Sequence, residues 1–137
     1  MLIQLIYLSK RQTSDEEIQK ILEKSVEKNK RLNITGFLIY TNEFFLQCLE
    51  GDKENVMPLY ETIKLDHRHK DIFLISYRMI QNRDFAQWAM GNKKINSQEI
   101  EIMQNFSDQE REIFNKILQG SEQNRAIEII KKFAEKI

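Results

Sequence analysis

Hydrophobic and polar positions change their spacing along the chain in a way that predicts strands and helices in alternation. Residues 2–8 are rich in branched side chains and alternate as a strand does, with Ile3, Leu5 and Tyr7 on one face. Residues 13–29 predict a helix, because a hydroxyl at 13 or 14 is followed three residues later by Glu and the apolar positions then keep helical spacing. The chain therefore opens with a strand and an amphipathic helix.

The middle of the chain predicts a hairpin and a second helix. Residues 34–41 and 44–50 are strand-like and are joined by a short polar turn, so we expect them to pair antiparallel. Asp52 can cap a helix that runs to about residue 65. Pro58 lies past the first turn of this helix and removes one backbone donor, which predicts a late start or a kink.

The rest of the chain adds strands and a charged helical tail. Residues 72–79 predict a strand, the residues near Trp88 predict another, and helices are predicted at about 97–104, 108–119 and 122–136. The order βαββαβ, followed by a strand and a helical tail, predicts an α+β ferredoxin-like fold with both helices on one face of an antiparallel sheet. We expect a core domain over residues 1–95 and a helical extension over 96–137. Because this fold hosts unrelated functions, it does not assign one.

Charge and cysteine content narrow the classes of partner. The 137 residues carry 21 basic and 21 acidic side chains, so the chain lacks the net positive field on which nonspecific nucleic-acid binding depends. Cys48 is the only cysteine, which excludes an intrachain disulfide and a cysteine-rich metal site, and we expect no metal at His67 and His69. The start lacks a signal-peptide pattern and no apolar run is long enough for a bilayer. We therefore expect a cytoplasmic protein without nucleic-acid or membrane partners.

One polar residue interrupts the apolar strand at residues 44–50. Gln47 lies between Phe45 and Leu49 on one strand face, where a packed strand normally carries an aliphatic residue. Burying an amide without hydrogen bonds costs roughly 1–3 kcal/mol, so Gln47 needs a polar partner. The candidates are the backbone, a water molecule and a ligand.

Six pieces of the sequence form an ordered set at compatible spacing. They are Tyr7, Asn29, Ile34-Thr35-Gly36, the run from Phe45 to Gly51, the run from Asp66 to His69 and the run from Arg83 to Met90. Together they resemble the BLUF family, whose members sense blue light using FAD. The resemblance covers about residues 2–95 and implies that a flavin binds without a covalent bond, between the two helices and the sheet.

The resemblance also implies which side chains hold the flavin. Tyr7 and Gln47 would flank the N5/O4 edge of the isoalloxazine ring, and Asn29 would hold the O4/N3 edge. At position 28 many relatives have a second Asn, so we expect Lys28 to make a changed contact, such as one to a phosphate. FAD is the expected cofactor, with FMN or riboflavin left open. The pocket positions implied besides Tyr7, Gln47 and Asn29 are Ser25, Lys28, Asp66, Arg68 and His69.

What the resemblance implies is a light switch and not an enzyme. A phenol can give an electron and then its proton to an excited flavin, and rotation or tautomerisation of the Gln47 amide can exchange the donor and acceptor that it presents. Trp88 and Met90 would relay the signal, and their alternation predicts that they share one face of the last strand. We expect a homo-oligomer that signals to a partner protein through the tail. The apolar tail positions are Ile113, Phe114, Ile117, Leu118, Ile127, Ile130 and Phe133.

Structural interpretations of the same residues remain open. Taken alone, Tyr7 is a half-buried strand tyrosine and Asn29 is a helix C-cap. Trp88 and Met90 are then core side chains. A flavin-free BLUF-like module that binds partner proteins also stays open, because Tyr7, Asn29 and Gln47 argue against it only through the resemblance.

Two other classes of protein share the predicted fold. An enzyme of the acylphosphatase type needs a phosphate-binding loop, and residues 9–12 are basic but lack the glycines that such a loop prefers. An RNA-binding module needs exposed aromatic side chains on its third strand, for which Phe44 and Phe45 are the candidates. Their apolar neighbours indicate burial instead.

Overall fold

Strands and helices alternate through the part of the chain that the computed structural model describes, which is residues 1–95 together with residues 127, 130 and 131. In chain order they are β1 (Leu2–Arg11), α1 (Asp15–Leu32), β2 (Thr35–Tyr40), β3 (Phe44–Asp52), α2 (Lys53–Lys64), β4 (His69–Met79) and β5 (Gly91–Lys94). The predicted order of the elements is confirmed. The helices predicted at 97–104 and 108–119 lie outside the described residues, and the division at residue 95 stays a prediction.

The five strands form one sheet in the order β4-β1-β3-β2-β5. Neighbouring strands are antiparallel except β2 and β5, which run parallel. Ile18 of α1 and Val56 of α2 are buried in one apolar cluster with Ile3 and Leu5 of β1, so both helices cover the same face. The α+β ferredoxin-like fold is therefore confirmed, with β5 added at the β2 edge.

The two ends of α1 are fixed by local polar contacts. The Ser14 hydroxyl accepts a hydrogen bond from the Glu17 N–H at 3.3 Å, so Ser14 is the N-cap that the sequence predicts at 13 or 14. At the other end Asn33 is left-handed, with φ of 53°, and its N–H donates to the Asn29 and Lys30 carbonyls. The C-cap is therefore Asn33, and Asn29 lies inside the last turn with its side chain free for another role.

Helix α2 follows Asp52, as the sequence predicts, but Pro58 does not delay its start. It starts at Lys53 and continues through Pro58, so the predicted late start is wrong. Asp52 occupies the N-cap position without a side-chain cap bond, and its carboxylate lies 3.9 Å from the N-terminal amino group of Met1. Within the described residues no helix has the length and apolar content that crossing a membrane requires.

A second apolar cluster covers the sheet face opposite the helices. It includes Ile6, Phe37 and Cys48, and it buries Ile130 completely, with Ile127 packed against it. Residues 127, 130 and 131 are helical, so these two tail positions lie where the sequence predicts a helix over 122–136. The other apolar tail positions lie outside the described residues.

The end of the described core differs from the prediction. β4 begins at His69 and not at residue 72, and β5 begins at Gly91, so Trp88 precedes the last strand. Residues 81–90 form bends and turns, in which the Trp88 N–H donates to the Phe85 carbonyl at 3.0 Å. Because a turn does not alternate, the prediction that Trp88 and Met90 share one strand face is wrong.

Candidate functional site

A cavity of about 240 Å³ lies between the two helices and the sheet. Cavities of about 150 Å³ already accept benzene, so this one is large enough for an aromatic ligand. Aliphatic side chains, Phe45 and Met90 form its apolar walls, and polar or charged side chains also line it. The polar and charged lining residues are Tyr7, Lys24, Ser25, Lys28, Asn29, Gln47, Thr62, Asp66, Arg68 and His69.

Tyr7 and Gln47 meet in this cavity. They are direct partners in the β1–β3 ladder, and both point to the helix side of the sheet. The Tyr7 hydroxyl donates a hydrogen bond to Gln47 Oε1, and Gln47 Nε2 donates to Met90 Sδ at 3.3 Å. The partner that Gln47 requires is therefore a phenol on one side and a thioether on the other. Because a thioether is a weak acceptor, the amide N–H remains available to a stronger one.

Burial keeps the Tyr7 phenol protonated. Only 4% of this side chain is exposed, and the Tyr60 ring centroid lies 5.8 Å from its own. Burial raises the pKa of Tyr7 well above its usual value, and the nearby Tyr60 and Asp66 raise it further. Tyr7 thus presents a hydroxyl proton to Gln47 at neutral pH.

The last turns of α1 supply a second group of polar side chains. Buried Asn29 donates from Nδ2 to the Ala89 carbonyl at 2.7 Å, which ties α1 to the segment that carries Met90. Ser25 lies one turn earlier on the same helix face and lines the cavity. Lys28 and Lys24 are exposed and also line it, so two ammonium groups stand on its α1 side.

The segment between α2 and β4 supplies the far side of the cavity. Hydrogen bonds from the Arg68 side chain to the Asp66 carboxylate lower the pKa of Asp66 to about 2. His69 is held through Nδ1 by the Ser9 hydroxyl at 2.8 Å and through Nε2 by the Ile63 carbonyl at 2.5 Å. These contacts fix the three side chains by protein groups. Among the described residues no cluster of His, Cys, Asp and Glu suits a metal ion.

Trp88 and Met90 lie on opposite faces of the sheet. Met90 is buried with the helix-side cluster and contacts Gln47, whereas Trp88 packs on Phe37 of the other cluster with ring centroids 5.1 Å apart. Met90 is therefore the residue beside the cavity. Trp88 is the one predicted site residue that the structure separates from the others.

Several cavity residues were missed in the sequence. Lys24 precedes Lys28 by four residues, and Phe45 and Leu49 alternate with Gln47 on β3, so helical and strand spacing could have identified them. The missed aliphatic walls give no such signal, because they look like ordinary core positions. The missed lining residues are Ile18, Ile21, Leu22, Lys24, Leu38, Phe45, Leu49, Leu59, Thr62 and Ile63.

The two other classes of protein do not fit this arrangement. Strand β1 continues to Arg11, and Ser9 is buried against His69, so no phosphate-binding loop opens at residues 9–11. Phe45 is 8% exposed and forms part of the cavity wall, so it is not displayed for stacking with a base. Apolar walls with buried amide and hydroxyl groups, and with exposed cationic groups at the rim, instead suit a flat heteroaromatic ring with a polar edge and a charged substituent.

Comparisons with known proteins point to one family. The sequence model for BLUF, described as "Sensors of blue-light using FAD", matches residues 2–91. The photoactivated adenylate cyclase subunit beta of Euglena longa is 36% identical over 89 residues, which are 63% of this chain and 10% of that protein. The chain thus spans about a tenth of the length of such curated relatives.

Solved structures agree with the sequence match. The dark-state structure of BlrB, a BLUF protein, superposes with a TM-score of 0.77 at 25% identity, covering 99% of this chain and 97% of that one. Klebsiella pneumoniae BlrP1 with FMN and cyclic diGMP superposes with a TM-score of 0.65 at 29% identity, covering 69% of this chain and 26% of that one.

Proposed function

The chain belongs to the BLUF family, the flavin-binding sensors of blue light, and from that membership we propose that the cavity between α1, α2 and the sheet holds the flavin ring. Gln47 and Asn29 would bind its polar edge through their amides, and Ser25 through its hydroxyl. Lys28, exposed at the rim, would face the charged substituent that FAD and FMN carry and riboflavin lacks. Asp66, Arg68 and His69 would close the far side.

A bound flavin supplies absorption of blue light and, once excited, a strong electron acceptor. Tyr7 is the side chain in the cavity that can give up an electron and a proton, because a phenol does so far more readily than an aliphatic group or an amide. Its hydroxyl already points its proton at Gln47 Oε1. We therefore assign to Tyr7 the role of donor and to Gln47 the role of the group that responds.

The Gln47 amide can exist in two orientations that differ only in hydrogen bonds. In the orientation described above, its oxygen accepts from Tyr7 and its nitrogen donates to Met90. Rotation by half a turn would present the NH2 group to the Tyr7 oxygen and the carbonyl to Met90, which offers no donor. The second orientation is therefore the less stable of the two unless another group in the cavity compensates, as a reversible switch requires.

The chain of contacts from Tyr7 through Gln47 to Met90 is the observation that carries this proposal. Two hydrogen bonds join a phenol, an amide and a residue of the turn segment 84–90 inside a cavity, which supports the roles proposed for them. A flavin-free module would have no use for a half-satisfied amide at the centre of its helix-side core, since an aliphatic residue there would avoid the cost of burial.

The output is proposed to be a protein interaction and not catalysis by this domain. The Euglena longa relative is a photoactivated adenylate cyclase subunit, and we propose by analogy that this chain controls an effector protein through residues near Met90 and Trp88. A homo-oligomer and a cytoplasmic location stay predictions from the sequence. Size-exclusion chromatography with light scattering, in darkness and under blue light, measures the first, and cell fractionation measures the second.

Spectroscopy of the purified protein tests the proposal. With FAD, FMN or riboflavin added, the dark protein should bind the flavin, and blue light should move the flavin band reversibly to longer wavelength. Gln47→Leu should keep the cavity and lose the shift, whereas Gln81→Leu, an exposed glutamine outside the cavity, should keep it. A protein that takes up none of the three flavins would refute the proposed function. An unchanged shift in Gln47→Leu would place the switch at another residue.

A further inference from the structure

Glu50 is a carboxylate with no exposed surface, on β3 three residues beyond Gln47. The two side chains point to opposite faces of the sheet, because three positions along a strand reverse the face. Glu50 thus lies on the face that Phe37 and Trp88 occupy, outside the cavity. Glu50 has no part in the flavin binding or the electron transfer proposed above. A buried carboxylate is costly unless it is well bonded, so its contacts need an explanation.

Four donors satisfy this carboxylate. Gln4 Nε2 donates to Oε2 at 2.9 Å, and the Thr35 hydroxyl donates to Oε1 at 3.2 Å. Gln4 and Thr35 are the cross-strand partners of Glu50 on β1 and β2. The other two donors are backbone N–H groups, of Asp84 to Oε2 at 2.7 Å and of Phe85 to Oε1 at 2.9 Å. Each oxygen therefore accepts one side-chain and one backbone hydrogen bond.

No cation touches the Glu50 carboxylate within the described part of the chain. The nearest guanidinium groups bond to its neighbours: Arg83 Nη1 donates to the Thr35 hydroxyl at 2.9 Å and Arg78 Nε donates to Gln4 Oε1 at 2.9 Å. The carboxylate is thus bonded by uncharged donors. The two arginines are linked to it only through Gln4 and Thr35, and Arg83 Nη1 also donates to the Glu50 backbone carbonyl at 3.4 Å. Every group that faces the two oxygens is a hydrogen-bond donor. The site therefore favours a side chain that has an acceptor at both positions, as a carboxylate does.

The two backbone donors begin the segment that leads to the cavity. Beyond Phe85, the Trp88 carbonyl accepts from the Gly36 N–H at 3.0 Å and the Ala89 carbonyl accepts from Asn29. The segment ends with Met90 against Gln47. Both ends of the segment therefore bond to β3, one end to Glu50 and the other to Gln47.

We propose that Glu50 is a positioning residue of the light switch, which clamps residues 84–85 to β3 so that segment 84–90 presents Met90 to the Gln47 amide. This inference rests on the proposed function of Gln47. Without the clamp the start of the segment is free to move away from the sheet, and the contact between Met90 and Gln47 then selects one amide orientation less strongly. Glu50 would in this way set how long the switched orientation lasts, without touching the flavin.

Glu50→Gln tests the clamp with almost no change of volume. It replaces one of the two acceptor oxygens with an NH2 group, which is a donor. At either position this NH2 group faces two other donors and loses both hydrogen bonds. We expect the Asp84 and Phe85 amides to exchange their hydrogens at least about tenfold faster in the dark. We expect the return of the shifted flavin band in darkness to slow by about fivefold, the factor that corresponds to one net hydrogen bond. Glu43→Gln, at an exposed position of the β2–β3 turn, should change neither rate.

The outcomes separate this inference from the proposed function. A wild-type protein with flavin but no light-induced shift would defeat the proposed function, while the exchange rates would still report on the clamp. If the wild type shifts and Glu50→Gln exchanges faster but recovers at the same rate, Glu50 is a structural residue only and the inference is overturned. Unchanged amide exchange also overturns it. Should Glu50→Gln fail to fold, Thr35→Val removes one donor and keeps the carboxylate, and recovery at the wild-type rate would then refute the clamp.

Discussion

The Tyr7 hydroxyl donates a hydrogen bond to Gln47 Oε1 across the β1–β3 ladder, where the two residues are direct partners. Partners on one face of an antiparallel pair have their Cβ atoms within about 5.5 Å, so the contact needs no loop to position it. Two central strands of the sheet fix it. Regular strand pairing therefore positions both side chains.

Tyr7→Phe should abolish the light-induced shift of the flavin band without abolishing flavin binding. The ring remains to fill its place in the cavity wall, so we expect flavin binding to persist, while the light-induced shift is lost with the hydroxyl. Gln47 Oε1 loses its donor, and we expect the free energy of unfolding to fall by about 1–2 kcal/mol. Denaturant unfolding in the dark and a light-minus-dark spectrum measure the two effects. A normal photocycle in this variant would refute the donor role.

Tyr40→Phe is the matched control for that variant. Tyr40 is buried on the same face, outside the cavity, and its hydroxyl accepts a 3.3 Å hydrogen bond from Gln19 Nε2. Its removal leaves only the exposed glutamine without this partner, which water can replace. We expect a loss of no more than about 0.5 kcal/mol and an unchanged light-induced shift.

The pH dependence of stability in alkaline solution gives an independent measure of how strongly burial raises the pKa of Tyr7. The pKa of Tyr7 is raised in the folded protein, so above about pH 10 the unfolded chain loses this proton while the folded one keeps it, and stability falls as pH rises. Tyr7→Phe lacks this loss. The stability difference between wild type and variant should therefore be about 1.4 kcal/mol smaller at pH 11 than at pH 8. Cys48 and Tyr60 also have raised pKa values, but both proteins contain them and their contributions cancel. A constant difference would mean that water reaches the phenol.

Positions on regular elements could be predicted from the sequence, because strands and helices fix the direction of side chains by simple periods. Alternation puts Tyr7 on the helix-facing side of β1 and Gln47 on the same side of β3. Ser25 and Asn29 share a helix face by their spacing of four. All four side chains line one cavity, and the resemblance to the BLUF family is what first grouped them.

Positions in the turn segment could not be predicted in this way. Trp88 and Met90 would share a face only if the chain were extended there, and the bond from Trp88 N–H to the Phe85 carbonyl closes a turn instead. The turn sends one side chain to each face of the sheet. The contacts of Glu50 with Asp84 and Phe85 were equally hidden, because they join residues more than 30 positions apart through backbone groups that every sequence contains.

Asp66→Asn should destabilise the protein at neutral pH and far less in acid. The Arg68 side chain lowers the pKa of Asp66 to about 2, so its contribution to stability is complete above pH 4 and is lost as pH falls through about 2. The carboxylate is 27% exposed and solvent screens the pair, so we expect a loss of about 1 kcal/mol at pH 7. Urea unfolding should show the full loss at pH 7 and only a small part of it at pH 2, where about half of the folded molecules carry a protonated Asp66. Asp71→Asn, in the exposed pair with Lys10 at 3.4 Å, should cost less than half as much. An equal loss at both pH values would mean that the backbone turn, and not the charge, matters.

Gly91→Ala should displace Trp88 without a change in the backbone. A Cβ at position 91 would lie 2.4 Å from Trp88 Cε3 and 2.5 Å from Phe37 Cδ2, closer than carbon atoms approach, so the rings must move apart. Overpacking of this kind costs about 1–3 kcal/mol. Trp88 is the only tryptophan, so its fluorescence should shift towards that of an indole in water while the midpoint of unfolding falls. Asn92→Ala, at the exposed next residue of β5, should leave both unchanged. Unaltered emission in Gly91→Ala would show that Trp88 does not pack against this glycine in solution.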